Sequence, residues 1–291
     1  MNDGSLAERY STGTVHKWVA IRCIWSANLQ IVNNVDYKGI IMRLNIASQK
    51  LSCITFMAAA LLTVGMPAIA GESTDPQLVE NPINLSVMEG SANKGEIQAQ
   101  LMMGVFYQEG SAGLTKDATK AFEWYKKAAV SGNTDAQFSV ASMYEDGDGV
   151  KQDYAQAKKW HEKAAKQGNA YSQYRLGDMY YNGVGVAQNY AAAFSWYQKS
   201  ASQGNMAAEN SLGDMYRNGK SVPKSAKKAF SWYQKSAKQG YPEAQYNAAV
   251  AYINGNGVKR NLNQAKVLLS DSCDNGKVEG CSALKKIGSK I

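Results

Sequence analysis

Residues 172–205 read SQYRLGDMYYNGVGVAQNYAAAFSWYQKSASQGN, and this stretch predicts two short helices joined by a turn. In the first half, Leu176, Gly177 and Tyr180 recur at helical spacing. The segment Asn182-Gly183-Val184-Gly185 interrupts this helix, because asparagine and glycine readily adopt the left-handed backbone that ends helices. The second half carries apolar residues at i, i+3, i+4, i+7 and i+11, one face of a second helix: Tyr190, Ala193, Phe194, Tyr197 and Ala201.

Two residues mark the limits of this second helix. Asn189 is placed to cap its start, and Gly204 is placed to end it. Trp196 lies outside the apolar face of the helix, and we therefore expect it to pack against a neighbouring repeat. Equivalent capping residues stand in other copies of the pattern: Asp117, Asp153 and Asn261.

The same unit recurs along the chain with a period of 36 residues. One hairpin cannot bury its own apolar face, so consecutive copies must stack to share a core. We therefore predict an all-α fold, a solenoid of about five 36-residue helix-turn-helix repeats within residues 85–291. Residues 85–95 are expected to cap one end and residues 280–291 the other. The copies run 99–135, 136–171, 172–207, 208–243 and 244–279, with tryptophans at Trp124, Trp160, Trp196 and Trp232.

The pattern A-x-x-x-L-G-x-x-Y…G-x-G-V…A-x-x-W-Y-x-K-A-A-x-x-G strongly resembles the Sel-one-like repeat family of the tetratricopeptide-repeat superfamily. The resemblance implies a right-handed α/α superhelical solenoid and a role as an adaptor between protein partners. Two copies depart from the pattern. The fourth has Gly219-Lys220-Ser221 at the turn, and the fifth has Leu268-Leu269 in place of Trp-Tyr.

The resemblance also places a candidate binding surface on the first helix of each repeat, which lines the concave side in this superfamily. Positions there that the repeat pattern leaves free are predicted to contact a protein or peptide partner. Exposed Tyr and Arg are common anchors in such interfaces. The alternative is that these are ordinary surface residues. The predicted positions are Ser142 and Glu145, Asp178 and Tyr181, Asp214 and Arg217, then Val250 and Ile253.

Cys273 and Cys281 are the two cysteines within residues 71–291. The segment CDNGKVEGC resembles the cysteine pairs of a cysteine-rich branch of the family, which staple adjacent helices. The resemblance implies a disulfide here, and stacked helices could bring the two Cα atoms within the required separation. The alternative is a pair of buried thiols.

Residues 42–70 read MRLNIASQKLSCITFMAAALLTVGMPAIA and carry the three parts of a secretory signal peptide in order. Arg43 and Lys50 precede an apolar run, which ends at the small-residue triplet Ala68-Ile69-Ala70. We expect cleavage after Ala70 and a periplasmic or secreted mature protein, in an oxidising compartment that suits the cysteine pair. The alternative is an uncleaved anchor, in which case this segment would contact the membrane.

The flanks of this signal carry their own predictions. Residues 1–41 show no helical or strand period, and we interpret them as an over-extended gene prediction ahead of a start at Met42. Residues 71–84, with two prolines and few apolar side chains, are predicted to be a flexible leader.

The charge of the chain gives no sign of a nucleic-acid partner. The whole sequence carries a formal charge of +8, yet residues 71–291 hold 26 basic and 21 acidic residues with no block of one sign. The pairs Lys158-Lys159 and Lys227-Lys228 are interpreted as solvated helix faces.

Catalytic and metal-binding patterns are weak. His161, the histidine of residues 71–291, replaces the tyrosine of the Trp-Tyr pair and is interpreted as a packing or rim residue. The run Glu145-Asp146-Gly147-Asp148-Gly149 faintly resembles a calcium loop but lacks the later bidentate glutamate. We therefore predict no catalytic residues, no metal and no cofactor.

The sequence thus predicts an exported, non-catalytic scaffold that binds a protein or peptide. The alternative is a cell-wall-directed ligand binder or a β-lactamase-like enzyme, because some cysteine-rich relatives have been described in that way. That transfer is poor here, since a single cysteine pair matches and no nucleophile can be identified.

Overall fold

The computed structural model describes residues 84–288, and every regular element within them is an α-helix. None of these helices is long and apolar enough to cross a membrane. The predictions made for residues 1–41 and 42–70, for 71–84 apart from its last residue, and for the last three residues of 280–291 lie outside this range. The helices are α1 (Leu85–Asn93), α2 (Ile97–Glu109), α3 (Ala118–Val130), α4 (Thr134–Asp146), α5 (Tyr154–Lys166), α6 (Ala170–Asn182), α7 (Tyr190–Ser202), α8 (Met206–Asn218), α9 (Ala226–Lys238), α10 (Pro242–Asn254), α11 (Leu262–Asp274) and α12 (Val278–Gly288).

These helices form five consecutive hairpins, which confirms the predicted all-α repeat solenoid. The first helices of the repeats are α2, α4, α6, α8 and α10, and the second helices are α3, α5, α7, α9 and α11. Each second helix packs between the first helix of its own repeat and the helix that follows it, which is the next first helix or, after α11, helix α12. Helices α1 and α12 cover the two ends.

The turn within each repeat is closed by the predicted residues. In the third repeat, Gly183 ends α6 in the left-handed conformation with φ 73°. Asn189 then caps α7, its Oδ1 accepting a 3.0 Å hydrogen bond from the backbone N–H of Ala192. Such a cap stabilises a helix by about 1 kcal/mol. The same arrangement recurs at Asp117, Asp153, Ser225 and Asn261.

Close packing within a repeat requires glycine opposite tyrosine. A Cβ atom at Gly177 of α6 would lie 2.5 Å from the Tyr197 ring of α7. The pairs Gly104 with Tyr125 and Gly213 with Tyr233 show the same approach.

The two repeats without this tyrosine also lack the glycine. In the second repeat, His161 takes the tyrosine position and Ala141 takes the glycine position. In the fifth repeat, Leu269 and Ala249 take the same two positions. The first-helix residue therefore varies with the size of the side chain that faces it.

The tryptophans pack in the seams between repeats, as predicted. Trp124 of α3 lies against Ala92 of α1 together with Met103 and Phe106 of α2. Trp196 of α7 packs against a cluster that includes Ala165 of the preceding repeat. These contacts join each repeat to the one before it.

A ladder of side-chain amides also runs through the seams. Gln173 of α6 donates from Nε2 to the Ala165 carbonyl at 3.2 Å, and its Oε1 accepts a 2.8 Å hydrogen bond from Gln203. Gln137 makes the same two contacts, with Ala129 and Gln167. Each such rung satisfies a helix-end carbonyl and a buried amide together.

The ladder is interrupted in the first and fourth repeats. Gln100 of α2 donates to the Ala92 carbonyl, but its Oε1 is buried without a hydrogen-bond partner, because Ser131 stands where later repeats carry Gln or Asn. In the fourth repeat Glu209 replaces the glutamine, and its carboxylate is instead held by Lys235 at 2.8 Å and Gln239 at 2.7 Å.

The end of the solenoid is tied by a disulfide. Cys273 near the end of α11 is bonded to Cys281 of α12, with the Cα atoms 4.6 Å apart. This separation is within the range for protein disulfides. The bond ties α12 to the second helix of the fifth repeat.

Candidate functional site

The candidate site is the surface formed by side chains of successive first helices, here called the first-helix surface. Successive first helices contact one another directly across it. Arg175 of α6 donates from Nε to Oε2 of Glu145 in α4 at 3.0 Å, and Asn247 of α10 donates to Asn210 of α8 at 2.9 Å. Its members are Arg175, Asp178, Tyr181, Asn210, Asp214, Arg217, Asn247, Val250 and Ile253.

Two aspartates on this surface are fixed by tyrosines from the second helices. Tyr197 donates to Asp178 Oδ1 at 2.7 Å, and Tyr233 donates to Asp214 Oδ1 at 2.7 Å. Burial raises the pKa of both carboxyl groups above the ordinary aspartate value, against the lowering effect of the nearby arginines and tyrosines. The predicted residues Asp178 and Asp214 therefore lie on this surface with their carboxylates already oriented.

The arginines of this surface pair with the same aspartates. Arg175 Nη1 lies 3.6 Å from Asp178 Oδ2, and Arg217 Nη2 lies 2.7 Å from Asp214 Oδ1. The Arg217 side chain is 51% exposed, and its other amino group reaches Asn247 of the next repeat at 3.5 Å. Its guanidinium is thus oriented and accessible at once.

Tyr181 is the aromatic member of the surface. It is half-buried, and its ring packs edge-on against Tyr190 with centroids 5.2 Å apart. Burial raises its pKa, so the phenol is a neutral hydrogen-bonding group at neutral pH. Val250 and Ile253, half-buried on α10, give the far end of the surface an apolar character.

Two predicted positions are not accessible. Ser142 is 8% exposed and Glu145 is 6% exposed, so the prediction that the repeat leaves them free is wrong for this pair. Glu145 is buried because its carboxylate contacts two side chains, Arg175 and His161. The Ser142 side chain is short, so it does not extend beyond the side chains packed around it.

Glu145 and His161 form a buried polar pair that replaces the Tyr-Asp pair of the third and fourth repeats. His161 is fully buried, with Nε2 3.3 Å from Glu145 Oε1 and Nδ1 3.2 Å from Ser172 Oγ. Burial alone would raise the pKa of Glu145, but His161 and Arg175 lower it to about 2. The adjacent Asp146 is exposed, yet its partial desolvation and the Glu145 carboxylate raise its pKa to about 6.

This buried pair was missed by sequence reasoning, although a signal for it exists. The second repeat departs from the third and fourth at three related positions, with Ser142 for Asp, Glu145 for Tyr or Arg, and His161 for Tyr. Together, these changes place the carboxylate of the first helix at position 145 instead of position 142. They also replace the tyrosine that contacts it from the second helix by His161.

The accessible groups of the first-helix surface can hydrogen bond, form ion pairs and pack against apolar or aromatic side chains. Within residues 84–288, no group of three His, Cys, Asp or Glu side chains is arranged to hold a metal ion. All of these groups are carried by helices, which hold them in fixed relative positions.

Comparison with known proteins identifies the repeat. The Sel1 repeat family model matches residues 97–133, 134–169, 170–205, 207–241 and 242–277. No curated protein matches the chain. Sel1 repeat proteins are generally protein-interaction scaffolds, and most are non-catalytic.

Two solved structures are similar in both sequence and fold. One is c5321, described as a protective antigen present in uropathogenic Escherichia coli strains and displaying an SLR fold; it is 36% identical with a TM-score of 0.65, over 70% of this chain and 43% of that one. The other is a Sel1 repeat protein from Oxalobacter formigenes, 29% identical with a TM-score of 0.63, over 70% of this chain and 87% of that one. This chain thus spans less than half of the E. coli protein. The chain belongs to the Sel1 repeat family.

Proposed function

We propose that this protein is an exported, non-catalytic scaffold that binds a segment of a partner protein along its first-helix surface. The observation that carries the proposal is the pair of oriented, accessible groups in adjacent repeats, Tyr181 and Arg217. Each is held by its neighbours, Tyr181 by Tyr190 and Arg217 by Asp214.

The fixed geometry favours binding because these side chains lose little further conformational entropy when a partner binds. A flexible side chain loses about 0.5–1.5 kcal/mol when an interface immobilises it. Arg217 is oriented in advance by Asp214 and Asn247, and Asp214 by Tyr233. A partner therefore meets groups that already hold their binding conformation.

The chemistry of the surface indicates the kind of segment that fits. Arg217 offers a guanidinium edge to a carboxylate or backbone carbonyl, and Tyr181 offers a phenol and part of its ring. Val250 and Ile253 offer an apolar contact one repeat further on. A segment with an acidic residue followed by an apolar side chain would satisfy all of these groups.

Export is supported by two separate features. Residues 42–70 have the charge, apolar core and small-residue cleavage pattern of a signal peptide. The bond between Cys273 and Cys281 is of a kind that persists in oxidising compartments. Sequencing of the mature N-terminus tests this part, with Gly71 expected as the first residue; a mature protein that retains residues 42–70 would contradict cleavage.

The binding proposal is tested by affinity capture from envelope extracts, followed by measurement of Kd for the captured protein. Tyr181→Ala/Arg217→Glu is expected to weaken binding at least tenfold, since anchors of this type contribute about 2 kcal/mol or more each. The matched control is Tyr154→Ala/Arg260→Glu, which changes an exposed tyrosine and an exposed arginine away from this surface. Equal Kd values for the two variants would refute the assignment of the surface.

A further inference from the structure

The first helices of the solenoid are acidic, and four of its five second helices are basic; the fifth, α11, holds one lysine and two aspartates. The second helices α3, α5, α7 and α9 hold twelve lysines and two glutamates, and eleven of these lysines are exposed. The first helices hold eight acidic residues and two arginines. Because first and second helices alternate along the chain, a linear scan averages the two signs, and the separation becomes visible once the helices are assigned to surfaces.

Three of these lysines form a regular row. The Nζ atoms of Lys127, Lys163 and Lys199 lie 3.8, 3.9 and 4.1 Å from the ring centroids of Trp124, Trp160 and Trp196. A tryptophan face attracts an ammonium group and restricts where it moves. These lysines, here called the lysine row, therefore present one oriented cation per repeat.

The fourth repeat shows what happens when a competing anion is present. Lys235 lies 5.4 Å from the Trp232 centroid and forms an ion pair with the buried Glu209 at 2.8 Å. Glutamate stands at this position in the fourth repeat alone of the five, where the other copies have glutamine. The lysine row is thus composed of the three cations that lack such a carboxylate.

We propose that the lysine row binds a linear polyanion, specifically an acidic polysaccharide, along the second-helix surface. A chain with carboxylate, sulfate or phosphate groups at intervals can place successive anions against cations that are one repeat apart. Binding would be electrostatic and therefore sensitive to salt. It would leave the first-helix surface free for a protein partner.

Two other anionic ligands fit this surface less well. Nucleic-acid binding commonly uses aromatic faces for base stacking and arginine for base contacts, but here lysines cover the tryptophan faces and these four second helices contain no arginine. Membrane binding is strengthened by exposed apolar side chains, and on these helices the large exposed ones are Val130 and Tyr154. A polysaccharide requires neither feature.

The test compares two variants of equal charge in the full mature protein. Lys127→Gln/Lys163→Gln/Lys199→Gln removes the lysine row. Lys94→Gln/Lys151→Gln/Lys259→Gln removes three exposed lysines outside the second helices. Both lower the net charge by the same amount, so that a difference between them reports on position alone, and circular dichroism confirms that each remains folded.

Binding is measured with polygalacturonate and with heparin at several salt concentrations. We expect the affinity of the lysine-row variant to be at least about tenfold lower than that of wild type. The slope of log affinity against log salt should be reduced by about two. The control variant should stay within about threefold of wild type. Equal weakening in both variants, or no wild-type binding to either polysaccharide at low salt, would overturn the proposal. Tighter binding to phosphatidylglycerol vesicles or single-stranded DNA in the same assay would overturn the choice of ligand.

Discussion

Arg175 in α6 donates a 3.0 Å hydrogen bond from Nε to Oε2 of Glu145 in α4. The pair links the first helices of the second and third repeats, and His161 contacts the other carboxylate oxygen from α5. A buried carboxylate thus joins three helices in two repeats. In the third and fourth repeats the equivalent positions hold tyrosine-aspartate pairs confined to one repeat, Tyr197 with Asp178 and Tyr233 with Asp214. The carboxylate of the second repeat differs from these because it is shared with the next repeat.

Glu145→Gln is expected to destabilise the fold by about 1–3 kcal/mol at pH 7, less than the loss for a fully buried pair because Arg175 is partly exposed. The pKa of Glu145 falls from 4.5 to about 2 in the folded protein. A lowered pKa contributes stability that is present above pH 4.5 and is lost as pH falls toward 2. Urea unfolding of both proteins should show the difference shrinking between pH 4.5 and pH 2. A difference that is constant with pH would contradict the assignment.

Asp146→Asn is expected to stabilise the fold at neutral pH, in contrast to Glu145→Gln. The folded protein raises the pKa of Asp146 from 3.8 to about 6, so its contribution to stability is present below pH 3.8 and is lost as pH rises through 6. Asparagine mimics the protonated form, and the variant should melt at a higher temperature than wild type at pH 7.5 but at the same temperature near pH 3.5. Asp271→Asn, at an exposed position on α11, controls for the change in net charge. A variant that is less stable than wild type at pH 7.5 would show that the ionised form is favoured.

Gly177 and Tyr197 are predicted to be strongly coupled. Gly177→Ala places a methyl group 2.5 Å from the tyrosine ring and should cost about 1–3 kcal/mol, partly offset by the higher helix propensity of alanine. With Tyr197→Leu the alanine should be tolerated, because the fifth repeat pairs Ala249 with Leu269. A double-mutant cycle by thermal unfolding should give a coupling above about 1 kcal/mol. Additive effects would mean that the ring does not require the glycine.

Ser131→Gln is expected to add the missing rung of the amide ladder. The new side chain would reach the unpartnered Oε1 of Gln100, as Gln167 reaches Gln137. A hydrogen bond to a buried acceptor contributes about 0.5–1.5 kcal/mol. The reverse change, Gln167→Ser, should lower stability by a similar amount. Denaturant unfolding measures both, and a destabilising Ser131→Gln would show that the first seam is not built like the others.

The fold could be predicted from sequence because each repeat contains the residues that begin and end its helices. Asn189 caps a helix and Gly183 ends one in a left-handed turn, and both effects depend on nearby residues alone. Equivalent residues recur with the repeat period along the chain. Stacking follows from the apolar faces that single hairpins cannot cover. No long-range knowledge was needed.

The candidate site was only partly predictable, since accessibility depends on residues in the next repeat. Tyr181 and Glu145 stand at equivalent positions of their helices, yet Tyr181 remains partly exposed and Glu145 is buried in contact with Arg175, 30 residues further along the chain. The charge separation between helix sets was hidden for the same reason. Both features depend on which helices adjoin in space.

Site-specific photocrosslinking tests the proposed function most directly. A benzophenone side chain is placed at Tyr181 on the first-helix surface or at Gln198, an exposed position on the second helix α7. The captured partner protein is expected to crosslink at position 181 and not at position 198. Crosslinking at position 198 with none at position 181 would contradict binding along the first helices.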